Sequence, residues 1–151
     1  MNIRKARIDD VKEIHRLINC YAEKGEMLPR AFHELYEFLR DFYVMVRREK
    51  VVGCCALHIS WQEMGEIRSL AVAPEYLNKG IGQSLLEKCL REARDLGLPQ
   101  VFALTYKPDF FKKRGFMEIE KEKLPHKVWS DCIRCPKFPD CDEVALVMQL
   151  K

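Results

Sequence analysis

The sequence lacks the features that direct a chain to a membrane, an export pathway or nucleic acid. No apolar run approaches the roughly 20 residues that cross a bilayer, and the N-terminal stretch MNIRKARIDDVKEIH has no apolar centre of the signal-peptide kind. The 26 basic and 23 acidic side chains are mixed along the chain, which leaves a net charge of +3 and no basic block. A cytoplasmic protein without membrane or nucleic-acid partners is predicted.

Two common nucleotide-binding motifs are also missing from the segment SLAVAPEYLNKGIGQSLLEKCL, residues 69–90. Its glycines, Gly80 and Gly82, are not followed by the lysine and serine or threonine that end a phosphate loop. They also do not form the six-residue glycine fingerprint of dinucleotide folds. The sequence therefore disfavours both nucleotide-binding functions.

The strand and helix patterns predict an α/β (α+β) protein in which a mixed, mostly antiparallel central sheet has helices on both faces. One domain spanning residues 1–151 is expected from the length and the lack of repeats or linkers. The predicted strands are residues 2–8, a hairpin over 42–60, then 65–73, 101–106 and 143–150. The predicted helices begin at a cap on Asp9 or Asp10, at Pro29, at Gly80 and near Pro108, and they end at Gly25, Asp41, residue 96 and Gly115. Residues 121–142 are predicted to be a loop.

Gly80 and Gly82 stand where a strand leads into the longest helix pattern. A helix N-terminus leaves about four N–H groups without partners and carries roughly half a positive charge. An anion such as a phosphate is favoured there, and glycine allows it to approach the backbone closely. The alternative is a tight strand-to-helix turn without a ligand.

The strand, the Ala-Pro, the loop ending in GIG, the helix and the later FFKKRGF together resemble the GCN5-related N-acetyltransferase family. The resemblance implies the acyl-CoA N-acyltransferase fold, with acetyl-CoA as co-substrate. It also implies that the strand before the loop splays from its neighbour and pairs with the pantetheine arm. The implied coenzyme contacts are Leu70, Ala71 and Val72 on pantetheine, Asn78, Lys79, Gly80, Ile81, Gly82, Gln83 and Ser84 around the pyrophosphate, and Phe110 and Phe111 beside the thiol.

Two positions depart from the family pattern. Leu77 stands where an arginine or glutamine usually contacts phosphate. Phe111 stands where a tyrosine often protonates the departing thiolate, and Tyr106 is too distant along the chain to inherit that role without further evidence. Aromatic residues on a helix face are more often core than site, so a core role is the alternative for Phe110 and Phe111.

Across almost the whole chain, segments such as GEIRSLAV, LPRAFHELYEFLRDF and LPHKVWSDCIRCPKFPDCDEVALV resemble bacterial amino-acid N-acetyltransferases of the N-acetylglutamate synthase type. The implied reaction is acetyl transfer to the α-amine of L-glutamate, in arginine biosynthesis, by direct transfer in a ternary complex. Glu66 is the implied general base, for which the alternative is a solvated carboxylate at a strand end, and the N–H of Leu70 is a candidate oxyanion donor. The resemblance also implies a homodimer.

A dicarboxylate acceptor requires fixed cations, and the planar fork of arginine suits carboxylates. The resemblance assigns Arg30 to the acceptor, with weaker candidates at Arg68 and Lys127 and further contacts at Ser69 and Thr105. An ordinary surface charge is the alternative for each cation. Three other functions stay open: acetylation of another amine or a peptide N-terminus, a non-catalytic acyl-CoA sensor, and a zinc-dependent interaction module.

The seven cysteines fall into two groups. Cys20, Cys54, Cys55 and Cys89 lie in apolar segments and are predicted to be free thiols. Cys132, Cys135 and Cys141, with His126 nearby, are ligands that zinc accepts. Because only the CxxC pair has zinc-site spacing, a reduced and structurally packed loop is favoured over a metal site, and a disulfide is disfavoured in the cytoplasm.

Overall fold

The computed structural model of this protein describes residues 1–124 and 143–151. Its strands are β1 Asn2–Lys5, β2 Phe42–Arg47, β3 Lys50–Trp61, β4 Met64–Val72, β5 Gln100–Thr105, β6 Met117–Ile119 and β7 Val144–Gln149. Its α-helices are α1 Val11–Glu23, α2 Phe32–Glu37, α3 Ile81–Asp95 and α4 Pro108–Lys112. Within these two ranges, none of the helices is long and apolar enough to cross a bilayer.

The described strands form one seven-stranded sheet in the order β1-β2-β3-β4-β5-β7-β6. The first four strands pair antiparallel with their sequence neighbours, and β7 pairs antiparallel with both β5 and β6. Strands β4 and β5 pair in parallel because α3 carries the chain back across the sheet between them. The predicted mixed, mostly antiparallel sheet is confirmed.

Helices cover both faces of this sheet, as predicted. Leu85 of α3 packs in one core with Ile67 of the sheet, and Ile14 of α1 packs in the other. Side chains alternate along a strand, so Cys54 belongs to the α1 core and its neighbour Cys55 to the α3 core. The free thiols predicted in apolar segments are confirmed. The helical spacing of apolar residues in α3 predicts one inward-facing stripe, and all of its members are buried: Ile81, Leu85, Leu86, Cys89, Leu90 and Ala93.

The predicted hairpin of β2 and β3 is confirmed, and it closes through a two-residue turn. Arg47 pairs with Lys50, and the two residues between them have positive φ angles, 51° at Arg48 and 65° at Glu49. Positive φ at both central positions defines a type I′ turn, whose twist matches that of the strands it joins. The charged turn RREK therefore reverses the chain without a glycine.

The start of the chain differs from the sequence prediction. Strand β1 ends at Lys5 instead of residue 8, and a 3₁₀ turn occupies Ile8–Asp10. The Asp10 carboxylate does not cap α1, because it accepts hydrogen bonds from the guanidinium of Arg4 at 2.6 and 3.1 Å and from the N–H of Arg7 at 2.7 Å. A partner from the preceding strand has thus displaced the local cap that the sequence suggested.

Helix α2 is also shorter than predicted. It begins at Phe32, not at Pro29, because the Glu34 carboxylate accepts the N–H of Ala31 at 3.1 Å and stabilises the first turn there. A separate 3₁₀ turn then forms at Leu39–Asp41. The spacing of apolar residues predicts a buried stripe of Phe32, Leu35, Tyr36 and Leu39. Phe32, however, is 45% exposed and stacks on the ring of His15 at 3.8 Å. Tyr36 is equally exposed, so only part of the predicted stripe enters the core.

Candidate active site

Strands β4 and β5 pair only at their beginnings, and a cleft opens where they separate. In the described part of the chain, Gly65 pairs with Val101 and Glu66 with Phe102, and no later residue of β4 pairs with β5. The cleft has a volume of about 380 Å³ and is lined by both strands, the start of α3, α4 and the segment after α1. The separation that the resemblance implied is therefore present.

A β-bulge interrupts β4 beside this cleft. Between the pairs Ala56–Arg68 and Cys54–Ala71, β4 contains one residue more than β3. Ser69, within the bulge, has a φ of 57°, and the thiol of Cys54 donates to its carbonyl oxygen at 3.4 Å. Burial raises the pKa of the Cys54 thiol to about 12, so it stays protonated and able to donate. Bulges bend a strand and re-aim its groups, and this one does so at the edge of the cleft.

The loop into α3 has the open N–H groups that an anion needs. Gly80 is the N-cap residue and has a φ of 79°, a left-handed conformation that favours glycine. A Cβ at Gly80 would meet no atom within 4 Å, so its role is conformational and the space beside it is open. The N–H groups of residues 81–83 precede the first bond of the helix, which Ser84 donates to the Gly80 carbonyl at 3.0 Å.

Most of the sequence-predicted site residues line the cleft. They are Arg30, Glu66, Arg68, Ser69, Leu70, Ala71, Val72, Asn78, Gly80, Ile81, Gly82, Gln83, Thr105, Phe110 and Phe111. Lys79 and Ser84 are not among the lining residues, and the N–H of Ser84 is already used within the helix. Lys127 lies outside the described residues. The individual roles given to these residues stay predictions.

Glu66 and Arg68 form a largely buried pair on one face of β4. Their side chains are each 14% exposed, and the guanidinium lies 3.6 Å from the carboxylate. The guanidinium of Arg68 also lies over the ring of Phe38, 5.3 Å from its centroid. Glu66 is therefore a carboxylate held at the inner end of the cleft, where β4 and β5 begin to separate.

Arg30 reaches the cleft from the segment that joins α1 to α2. Its guanidinium lies 3.4 Å from the Glu34 carboxylate. Its carbonyl accepts a hydrogen bond from the side chain of Asn19 at 3.2 Å, which ties this segment to α1. On the same side of the cleft, Glu26 pairs with Lys107 of the β5–α4 connection at 3.6 Å. Glu26 and Lys107 thus form an ion pair of opposite charges between two segments that line the cleft.

Phe110 and Phe111 serve the core and the cleft together. Phe111 is buried and packs edge-on against Phe110 and Phe116, with ring centroids 5.2 and 5.1 Å apart. The ring of Phe110 lies over Gly82, 3.4 Å from the position that a Cβ would take. These rings therefore fix α4 against the first turn of α3.

Several lining residues were not identified as site residues from the sequence. They are Tyr21, Glu26, Met27, Leu28, Tyr76, Leu77, Leu104, Tyr106, Lys107, Arg114 and Glu143, with Ile67. The helical spacing of Val11, Ile14, Leu17, Ile18 and Tyr21 predicts that Tyr21 belongs to the apolar stripe of α1. It is buried there, but its hydroxyl donates to the carbonyl of Val72 on β4. Burial raises the pKa of Tyr21. A tyrosine within an apolar stripe was the available signal, since its hydroxyl needs a partner when buried.

The segment with the three clustered cysteines is not among the described residues. Cys132, Cys135, Cys141 and His126 lie outside the described residues, and the predicted choice between a zinc site and a packed loop stays open there.

Comparison with known proteins identifies the family. Residues 8–116 match the sequence model of the Acetyltransferase (GNAT) family. The chain is 45% identical over 148 residues to an uncharacterized N-acetyltransferase of Chlorobaculum tepidum, covering 98% of this chain and 96% of that protein. It is 40% identical over 135 residues to an amino-acid acetyltransferase of Mycobacterium tuberculosis, covering 87% of this chain and 77% of that protein.

A solved structure has the same fold. N-acetylglutamate synthase from Neisseria gonorrhoeae, complexed with coenzyme A and N-acetyl-glutamate, matches 99% of this chain with a TM-score of 0.91 at 29% identity. This chain spans 35% of that protein. These matches confirm the predicted fold and the predicted class of enzyme: the chain belongs to the acetyltransferase (GNAT) family.

Proposed function

We propose that this chain transfers the acetyl group of acetyl-CoA to the α-amine of an amino acid, and that L-glutamate is the acceptor. The observation that carries the proposal is the open edge of β4 after Glu66, which lies along the cleft as far as Val72 without pairing to β5. An unpaired strand edge can bond an extended amide chain as it would another strand, and pantetheine is such a chain. The names of the relatives support the same chemistry.

The coenzyme is proposed to lie with its pyrophosphate on the N–H groups at the start of α3. Its pantetheine arm then follows Val72, Ala71 and Leu70 toward the bulge. This path brings the thioester near the N–H of Leu70, which is proposed to donate to the carbonyl oxygen as negative charge develops on it. The bulge at Ser69 supports this role because it removes this part of β4 from regular pairing with β3.

Glu66 is proposed to accept a proton from the ammonium group of the acceptor, directly or through one water. The free amine nitrogen then attacks the thioester carbonyl carbon. As the tetrahedral intermediate collapses, the carbon–sulfur bond breaks and the nitrogen loses its second proton to solvent. The products are the N-acetyl amino acid and coenzyme A thiolate. Phe111 has no proton to give, so the thiolate is protonated by solvent or by Tyr106, which also lines the cleft.

Acceptor recognition is proposed to rest on the arginines of the cleft. Arg30 on one wall and Arg68 on β4 present guanidinium groups suited to the carboxylates of glutamate. Ser69 and Thr105, which also line the cleft, are proposed to supply hydroxyl groups, and Lys127 is a further candidate outside the described residues. Their matched partners, Glu34 and Glu66, hold these cations in place before the acceptor arrives.

Thiol release from acetyl-CoA, measured against each of the twenty amino acids, tests this function. The expected result is that L-glutamate gives the highest kcat/KM, which would assign the chain to arginine biosynthesis as an N-acetylglutamate synthase. Turnover with peptide N-termini or another amine alone would replace the acceptor. Coenzyme binding without turnover on any amine would favour the sensor. The cytoplasmic location, the single domain and the homodimer stay predictions.

A further inference from the structure

The cations of the cleft differ in whether a carboxylate accompanies them. Arg30 pairs with Glu34, Arg68 with Glu66 and Lys107 with Glu26. Arg114 also lines the cleft, but in the described part of the chain no carboxylate lies within ion-pair distance of it. Its positive charge is therefore left for something that enters the cleft.

Arg114 is held in a defined position beside the first turn of α3. One terminal nitrogen, Nη1, donates to the carbonyl of Phe110 at 2.7 Å, and the guanidinium lies 3.9 Å from the centroid of the Phe110 ring. The other, Nη2, donates to the side-chain oxygen of Gln83 at 3.4 Å. Gln83 is the third residue of α3, so the guanidinium lies next to the open N–H groups of that turn.

The Arg114 guanidinium has N–H donors that make no hydrogen bond within the described residues. Arginine has five N–H donors, and the two contacts above are its hydrogen bonds within residues 1–124 and 143–151. The Nε atom is buried and has no acceptor among those residues. The contact with Gln83 is long and neutral, so a charged oxygen would replace it at a gain in energy.

The anion that fits is a diphosphate. A helix N-terminus contributes roughly half a positive charge, which leaves most of the charge of a diphosphate unbalanced. Leu77, in the loop that leads into α3, is apolar and 47% exposed, and Lys79 does not line the cleft. Arg114 is the cation that remains beside the turn among the described lining residues.

We propose that Arg114 binds the pyrophosphate of the acyl-CoA donor and, with the N–H groups of residues 81–83, sets the affinity for the coenzyme. The inference rests on the proposed use of acetyl-CoA. In the absence of donor, Gln83 occupies one fork of the guanidinium, and on binding a phosphate oxygen takes that position. Because the carbonyl and the ring of Phe110 hold the guanidinium with and without the donor, the side chain is already oriented before the donor binds.

The test compares donors that do and do not carry phosphate. For the wild-type protein and Arg114→Gln, kcat/KM is measured with acetyl-CoA, with its 3′-dephospho form and with S-acetylpantetheine. We expect Arg114→Gln to lose about tenfold or more with both phosphorylated donors and to be unchanged with S-acetylpantetheine. Equal losses with all three donors would mean that Arg114 only packs Phe110, and would overturn the proposal. A loss confined to acetyl-CoA would move the contact to the 3′-phosphate and overturn the assignment to the pyrophosphate.

Two further variants complete the design. Lys113→Gln removes a neighbouring exposed charge that does not line the cleft, and we expect it to behave like wild type. Arg114→Lys keeps the charge without the fork and is expected to fall between wild type and Arg114→Gln. Calorimetric titration of coenzyme A without acceptor separates the two claims. Tight binding that is insensitive to Arg114→Gln would overturn the inference alone, whereas no binding by the wild-type protein would overturn the proposed function with it.

Discussion

The first half of β4, residues 64–67, contains the two residues that pair with both neighbouring strands, whereas in the second half, residues 68–72, no residue pairs with β5 within the described sheet. In the first half, Gly65 and Glu66 bond to β5 as well as β3. A Cβ at Gly65 would lie only 2.8 Å from a methyl group of Leu98, so packing there is tight. In the second half, the edge facing β5 lines a cleft. One strand thus contributes to the core and to the site in succession.

The transition between the halves has a local cause and a distant one. The bulge at Ser69 bends β4 away from its earlier course. Beyond Thr105, α4 turns back over the first turn of α3 and holds the other wall of the cleft through Phe110 and Phe111. Strand edges are normally covered or paired, because their free N–H and C=O groups can hydrogen-bond to another chain. Here the open edge of β4 lies inside a cleft of limited size.

The largest expected difference is in stability between two matched truncations on β4. Ile67 in the paired half is 1% exposed, and Leu70 in the open half is partly buried. Ile67→Ala should lower the free energy of unfolding by about 2–5 kcal/mol, because it leaves a cavity in the core. Leu70→Ala removes the same number of carbons and should cost about 1 kcal/mol. Urea unfolding of both variants gives the comparison, and similar losses would mean that the open half is packed as tightly as the paired half.

Glu66 stands at the boundary, and changing it should affect chemistry more than folding. Glu66→Gln should lower kcat by about a hundredfold or more, since a general base is lost. Coenzyme affinity should be unchanged, and the unfolding midpoint should fall only slightly, because glutamine keeps a polar oxygen beside the Arg68 guanidinium but loses the charge of the pair. The control is Glu63→Gln, which alters an exposed carboxylate in the β3–β4 turn. A stability loss that matched the rate loss would assign Glu66 to the paired, structural half.

A substitution at Arg30 tests the wall of the cleft that the segment between α1 and α2 forms. Arg30→Ala should raise the KM for glutamate by about tenfold or more, through loss of a charge-assisted contact, and leave the KM for acetyl-CoA unchanged. Arg16→Ala is the matched control because the Arg16 side chain is 73% exposed and does not line this cleft. Parallel changes in both KM values would remove Arg30 from the acceptor site.

The smallest effect is expected far from the open half, at Asp10. Burial alone raises the pKa of this carboxyl, but hydrogen bonds from Arg4 and the N–H of Arg7, with their charges, bring it below its ordinary value. Its stabilisation is therefore present above the ordinary pKa of about 4 and is lost as the pH falls through the lower folded-state value. Asp10→Asn should cost about 1–2 kcal/mol at neutral pH, and the gap should shrink in acid. Urea unfolding across this pH range checks it, and a gap independent of pH would contradict the assignment.

Patterns that span one or two turns of the chain were predictable. The buried stripe of α3, the β2–β3 hairpin and the glycine at the start of α3 follow from residue spacing and from the conformations that those residues prefer. The resemblance to the acetyltransferase family, and not these patterns, predicted that Glu66, the end of β4 and the glycine loop lie together. The patterns failed at Asp10, where Arg4 displaced the local cap, and at α2, where Glu34 shifted the start of the helix.

By itself, the sequence determined the order of the strands and helices, most of the residues that enter the core and the loop that offers N–H groups to an anion. The tertiary structure decided which distant segments meet at that loop. Arg114 beside Gln83, Lys107 opposite Glu26 and the Tyr21 hydroxyl on Val72 each join residues more than thirty positions apart. Such contacts depend on where β4 and β5 separate and on how α4 packs against α3. Those are properties of the assembled sheet, and no local spacing encodes them.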